Sequence, residues 1–424
     1  MRSMSSDASS STAATIDGDR LWRELEALAQ FSEAPAPAVT RIVFSDVDRR
    51  AREYVKALCR EALLDIREDA VGNTFARWAG TDPALPAVAT GSHIDAIPNA
   101  GRFDGTVGVL GAIEAFRALR RSGFRPRRSL ELIVFTSEEP TRFGVGCLGS
   151  RLMCSGLDPD MADTMKDHNG RTLADIRADA GFTGALSSVG LAKEWYDAFV
   201  ELHIEQGPIL EARGLDIGVV TAIAAPASLR VHIEGEGGHA GAVLMPERRD
   251  AFLAAAEVAL AVETAARGTG SIDSVATVGV CEVFPGAINS VPSRATLGVD
   301  VRDIDGPRRD AALAAIRHAC EEIAARRRVS IVIETINADA PCQCAPGIIE
   351  AVTAAAASRG LGVTSLISRA YHDSLFMSRV APAGMIFIPC RGGVSHRPDE
   401  YASPDAIARG VAVLAETLAA LASG

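Results

Sequence analysis

Apolar residues recur three and four apart in "DRLWRELEALAQF" from Asp19, and again in "SDVDRRAREYVKALCREA", where Ser45 or Asp46 can serve as N-cap. That spacing puts one greasy stripe on a helix, so two amphipathic helices open the chain. "PAVATGSHID" breaks the rhythm and predicts a short buried strand running into a polar loop. "TVGVLGAIEAFRALRRSG" predicts a helix stopped by glycine, and "RSLELIVFTSEEP" a strand whose end presents two carboxylates. "YDAFVELHIEQGPIL" repeats the strand-to-polar-loop theme. Strand, polar loop, helix and strand in this order define an α/β fold, which places its chemistry where strands end.

A different pattern starts near Ala225. "SLRVHIEGEGGHAG", "VATVGVCEVFP", "ATLGVDVRDID" and "VSIVIETI" predict strands, and "RDAFLAAAEVALAVETAA" and "RRDAALAAIRHACEEIAARR" predict helices. The order β-α-β-β-α-β is that of a compact two-layer domain inserted into the first. The expected divisions are a disordered leader over 1–16, a catalytic domain over 17–224 and 338–424, and the insert over 225–337. After the insert come a helix in "PGIIEAVTAAAASRG" and a strand in "AGMIFIPC".

Composition narrows the function. A length of 424 residues fits about two domains. A net charge of −11 excludes a general nucleic-acid grip, which needs clustered Lys and Arg. No uninterrupted apolar run reaches about 20 residues, which argues against a spanning helix. The small, polar N-terminus lacks an apolar targeting core, so the cytoplasm is the expected compartment. The eight cysteines are sparse and form no CxxC pair, which predicts reduced thiols; Cys342 and Cys344 in "PCQCAPG" read as loop.

Five polar segments carry the candidate chemistry. They are "GSHIDAIPNAGRFDG" with His93, Asp95 and Asp104; "TSEEPTRFG" with Glu138 and Glu139; "ELHIEQGP" with Glu201, His203, Glu205 and Gln206; "GGHAG" with His239; and "GGVSHRPDE" with His396. Taken singly, each is an ordinary hydrogen-bonded residue. His168, His232 and His318 are assigned such structural places. What selects the others is their convergence in Gly-rich or acidic loops, off the periodic helix faces. Imidazoles mixed with carboxylates suit a divalent ion such as Mn²⁺ or Zn²⁺. Two ions sharing one carboxylate can activate a water and polarise a carbonyl, provided a free carboxylate beside them takes the proton.

These motifs resemble the metal-dependent amidohydrolases of the peptidase M20 family, whose members act on allantoate, ureidoglycolate and N-carbamoyl-L-amino acids. The resemblance is carried by "GSHIDAIPNAGRFDGTVGVLGA", "TSEEPTRFGVGCLGSRLM", "ELHIEQGPILE", "GGHAGAVLMPERRDA", "PGAINSVPSRATLGVDVRDID" and "GGVSHRPDEY", from about Gly91 to Tyr401. It implies a zinc-peptidase-like α/β catalytic domain with a central mixed sheet, and an inserted two-layer α+β lid and dimerisation domain. It further implies two divalent ions per subunit, Mn²⁺ first, with Zn²⁺, Co²⁺ or Ni²⁺ as alternatives. His93 and His203 would hold the first ion, Asp104 would bridge, and Glu139 and His396 would complete the second site. Glu138 would be the general base, and Asp95 would orient His93. Gln206, Asn289 and Arg302 would bind substrate, Arg302 by a bidentate clamp on a carboxylate. His239 would reach the site of the partner subunit in a homodimer and polarise the carbonyl.

One loop, "SRAYHDSLFM", departs from the small residues that relatives acting on allantoate or carbamoyl amino acids place before "HD". Here Tyr371 would fill pocket volume, His372 would bond the substrate, and Asp373 would hold the loop. With the "GLDIGVVTAIAAPASLRV" joint, this loop resembles the ureidoglycolate branch. The expected reaction is hydrolysis of the ureido C–N bond of (S)-ureidoglycolate. Allantoate and N-carbamoyl-L-amino acids are the rival substrates. A silent scaffold of the same fold is disfavoured because every expected ligand and Glu138 are present.

Overall fold

The structure is a computed structural model and describes residues 14–424. The expected leader therefore lies mostly outside the described residues. Its last part does not: Ala14 is buried, and its carbonyl accepts from Arg359. The chain divides into two compact units. One comprises the residues up to Thr221 with Cys344–Leu366 and His372–Gly424; the other comprises Ala222–Gln343 with Ile367–Tyr371.

The first unit is built on a mixed sheet. Ala383–Ile388, Tyr196–Ile204, Ala87–His93 and Leu130–Phe135 lie side by side in parallel. Thr74–Trp78 and Asp65–Glu68 extend it antiparallel on one side, and Ile217–Ile223 does so on the other. Ala87–His93 and Leu130–Phe135 are buried along their whole length. Burial of every residue, polar ones included, is what a parallel strand in the middle of a covered sheet shows. Ser45, not Asp46, caps the helix Asp46–Glu61 by accepting from the Asp48 N–H.

The helix Thr106–Arg121 lies directly on the sheet. A Cβ at Gly108 would stand 2.5 Å from the Leu202 carbonyl oxygen, so only glycine allows that approach. The C-terminal helix Pro404–Ser423 is long and apolar enough to cross a membrane by length and composition alone. It carries Asp405, Arg409 and Glu416, and Ile407, Val411, Leu414 and Leu418 are buried in the core of this unit. Fully burying one such side chain is worth about 1.5–3 kcal/mol.

The four parallel strands all end at one edge of this unit. His93 closes its strand, Thr136–Glu139 follow Phe135, His203 stands next to last in its strand, and Cys390–His396 follow Ile388. Arg41 ties this edge to the first helix. It is 1% exposed, and its guanidinium donates to the carbonyls of Phe31 (2.9 Å), Ile94 (2.6 Å) and Leu28 (2.7 Å).

The second unit is an antiparallel four-stranded sheet in the order Val275–Phe284, Arg294–Asp303, Ala225–Glu234, Ser330–Ala338. Leu229, Val231, Ile233, Leu297, Val299 and Val301 point from it into a core shared with the helices Ala251–Gly268 and Gly306–Arg327. This is the two-layer β-α-β-β-α-β arrangement. All eight cysteines are free thiols.

Replacing Arg41 by Met strands three buried carbonyls. We expect a loss of roughly 3 kcal/mol or more, read from the urea unfolding midpoint. A loss under about 1 kcal/mol would contradict the role given to Arg41.

Candidate metal centre

Three imidazoles converge on one carboxylate. Asp104 Oδ1 lies 3.1 Å from His203 Nε2 and 3.5 Å from His93 Nε2, and Oδ2 lies 3.3 Å from His396 Nε2. Glu139 Oε1 is 3.3 Å from the same His396 nitrogen. Gly105 makes the crowding feasible: its φ is +64°, and a Cβ there would come 2.5 Å from His93 Nε2.

Both buried histidines are aimed by backbone carbonyls. His93 Nδ1 lies 3.0 Å from the Asp95 carbonyl oxygen, and His203 Nδ1 lies 2.9 Å from that of Ile204. With Nδ1–H donated to these carbonyls, Nε2 is the atom each ring turns inward: protonated it donates to Asp104, and once that proton is lost it presents the lone pair a cation requires.

The Asp95 side chain, expected to orient His93, also braces the loop that carries the two glutamates. Its carboxylate is 3.7 Å from His93 Nδ1 and accepts the N–H groups of Glu138 (3.2 Å) and Glu139 (3.1 Å). The reason is local. Ser137 sits at φ 57°, a left-handed turn that aims two successive N–H groups at one acceptor. This turn separates the two glutamates: Glu139 faces His396, while Glu138 Oε2 lies 3.8 Å from His93 Nε2. Glu138 Oε1 accepts from the buried Cys147 thiol at 3.5 Å.

The electrostatics are those of a site short of positive charge. Burial pushes Glu138 well above the usual carboxylate range; the His93 ring opposes this, and the neighbouring Glu139, Asp373 and Asp104 add to it. Burial and Asp104 push Glu139 up to about 7. Burial would raise Asp104 too, but hydrogen bonds from His203, His396 and His93 hold it well below the ordinary value. Desolvation pulls His93 down, yet Glu138 and Asp104 outweigh it and raise the ring. The bond to Asp104 lifts His396 to about 9. Clustered carboxylates that resist ionising together suit a cation.

The donors fall into two groups whose atoms lie within 4.8 Å of one another: His93, Asp104 and His203, and Asp104, Glu139 and His396. This donor set fits two divalent ions on a shared carboxylate. A third group, Glu201, His203 and His372, fits poorly. Glu201 Oε1 already accepts from Ser92 Oγ (2.8 Å), and Oε2 from the Ser374 N–H and Oγ (3.1 and 2.7 Å). Glu205 is likewise committed, to the Ile209 and Leu210 N–H groups.

The remaining expected residues are placed as follows. Gln206 Nε2 donates to Asp104 Oδ2 (2.8 Å), while its buried Oε1 has no partner among the described residues. His372 is buried with its ring 4.6 Å from that of His203, and Asp373 accepts from Ser150. Four residues belong to the second unit. The exposed His239 pairs with Ser290 across a two-residue ladder, and the Ala240 N–H donates to the Asn289 carbonyl. Arg302 lies 5.8 Å from the Tyr371 ring centroid. Its guanidinium forks onto Asp300 (2.7 and 3.3 Å) and donates to the Arg369 carbonyl, so it is already engaged. His168, His232 and His318 take no part in the donor groups. Glu400, Ser395 and Cys147, which touch the site, were not singled out in the sequence, although they lie within the quoted motifs.

Two cation-ready donor groups at the carboxyl edge of a mixed α/β sheet define a metal-dependent hydrolase, and the chain belongs to peptidase family M20/M25/M40, whose profile matches residues 89–420. It is 54% identical over 414 residues to the ureidoglycolate hydrolase of Arabidopsis thaliana, covering 96% of this chain and 87% of that one. It is 38% identical to the N-carbamoyl-L-amino acid amidohydrolase of Geobacillus stearothermophilus, covering 96% and 100%. Among solved structures, the crystal structure of AtUAH in complex with (S)-hydroxyglycine superposes with a TM-score of 0.89 at 53% identity, covering 97% and 99%.

Sharing of Asp104 predicts unequal losses on mutation. Asp104→Ala should retain no tightly bound divalent ion after dialysis, and His396→Ala should keep the His93–Asp104–His203 group occupied. Elemental analysis of the dialysed proteins checks this; equal metal content in the two variants would contradict a bridging role.

Proposed function

We propose that the chain hydrolyses the ureido C–N bond of (S)-ureidoglycolate, yielding glyoxylate, ammonia and carbon dioxide. The observation that carries this is the pair of donor groups on Asp104 with Glu138 beside them. The identity to ureidoglycolate hydrolase along almost the whole chain supports the choice of substrate. Divalent ions held by His93, Asp104 and His203 and by Asp104, Glu139 and His396, with Mn²⁺ first, would make a water acidic and polarise the ureido carbonyl.

The side chains supply the rest. Glu138, tethered through Oε1 to Cys147, turns Oε2 toward the donor groups. It takes the proton of the attacking water and delivers it to the departing nitrogen. The unpartnered Gln206 Oε1 is an acceptor suited to a ureido N–H. His239 Nδ1 accepts the Gly241 N–H at 3.1 Å, which leaves Nε2–H as the donor for a developing oxyanion. We assign His239 to the partner's site in a homodimer, with the second unit as dimerisation domain. Its exposed Phe252, Leu260, Phe284 and Ile288 offer apolar surface for that contact. Attack at the ureido carbonyl expels the terminal nitrogen as ammonia; the carbamate left on the other nitrogen loses carbon dioxide, and the resulting hydroxyglycine collapses to a second ammonia and glyoxylate.

Arg302 and Tyr371, neighbours in one unit, are assigned to the substrate carboxylate and to pocket volume. For Arg302 this requires sharing its guanidinium with Asp300.

The test is ammonia release by Mn²⁺-loaded protein from (S)-ureidoglycolate, allantoate and N-carbamoyl-L-amino acids, compared as kcat/KM. Preference for ureidoglycolate supports the assignment, and preference for a rival overturns it. Tyr371→Ala should narrow that preference. His239→Ala should cut kcat by about 100-fold or more with metal content intact, as removal of an oxyanion donor does. Full turnover in that variant would exclude its role.

A further inference from the structure

Glu400 is absent from both donor groups, yet it touches the elements that carry them. It is 4% exposed. Its Oε1 accepts the backbone N–H groups of Phe103 (2.8 Å) and Asp104 (3.1 Å), residues nearly three hundred positions away in the chain. Its Oε2 accepts from Ser395 Oγ at 2.9 Å, and Ser395 is the neighbour of His396. Ser395 Oγ also lies 2.8 Å from Asp104 Oδ2. The loop before Asp104 is shaped around this side chain, since a Cβ at Gly101 would stand 2.3 Å from Glu400 atoms.

We propose that Glu400 is the positioning residue of the metal centre, fixing the shared carboxylate Asp104 against the His396 loop. This rests on the metal reading given above and assigns it a support. Two consequences follow from the geometry. Without Glu400, two buried N–H groups lose their acceptor, and the Phe103–Gly105 backbone is free to relax away from the three imidazoles. The second concerns Ser395, whose hydroxyl has one proton and two carboxylate oxygens within reach. Were a cation to take up the Asp104 carboxylate, the Ser395 proton would turn to Glu400 Oε2, so the half-buried hydroxyl would keep an acceptor. Glu400 therefore both places the bridging carboxylate and releases it for ligation.

The experiment is calorimetric titration of the metal-free full chain with Mn²⁺, for the parent, Glu400→Ala and Glu400→Gln, alongside the urea unfolding midpoint of each metal-free protein. Gln keeps an oxygen for the two N–H groups but offers Ser395 a donor in place of an acceptor. We expect Mn²⁺ affinity to fall by roughly 10–100-fold in Glu400→Ala, the usual effect of losing a group that orients a ligand. In Glu400→Gln it should fall less, with the metal-free midpoint of that variant unchanged. Should the Ala variant fail to fold, the Gln variant decides alone. Parental Mn²⁺ affinity in the folded variants overturns the assignment, as does an affinity loss in Gln that only follows a loss of metal-free stability. A parent chain that takes up no Mn²⁺ overturns the metal reading itself.

Discussion

The Asp104 carboxylate is the constraint on which the site depends. Three imidazoles, two from strand ends and one from the loop before the last helix, meet on its two oxygens. A buried carboxylate in that position is costly unless it is paired. The chain pairs it on every side, with His93 and His203 at the edge of the parallel sheet, His396 from the C-terminal loop, and backbone support from Glu400. The fold follows the same demand. Gly105 lets the backbone pass beside His93, and Arg41 pins the turn after it.

The backbone is held in sparsely populated conformations around this point. Ser137, Cys147, Gln206 and His396 all have positive φ. For residues with side chains such angles persist only where the surroundings enforce them, and they gather at working sites. Each has a visible result. Ser137 divides Glu138 from Glu139, Cys147 meets Glu138, Gln206 turns its amide to Asp104, and His396 swings its ring between Asp104 and Glu139.

Much of this was legible in the sequence because it rests on local patterns. The spacing of three and four marked the helices, short apolar runs marked the strands, and the polar loops at strand ends marked the donors. What was not legible depended on distant partners. The sequence offers a carboxylate two residues after His93, but only the fold shows that the backbone carbonyl of Asp95 holds the ring while the side chain braces Glu138 and Glu139. Glu400 sits in a quoted motif, yet its partners are Phe103 and Asp104. The Tyr371 loop, separated in sequence from the insert, belongs to the second unit through Arg369 on Asp273 and Arg302 on the Arg369 carbonyl.

The most direct test of the central claim is a crystal structure of the Mn²⁺-loaded protein with anomalous scattering recorded for manganese. Two peaks flanking the Asp104 carboxylate, one beside His93 and His203 and one beside Glu139 and His396, are the predicted result. A single peak away from Asp104, or none, would contradict it.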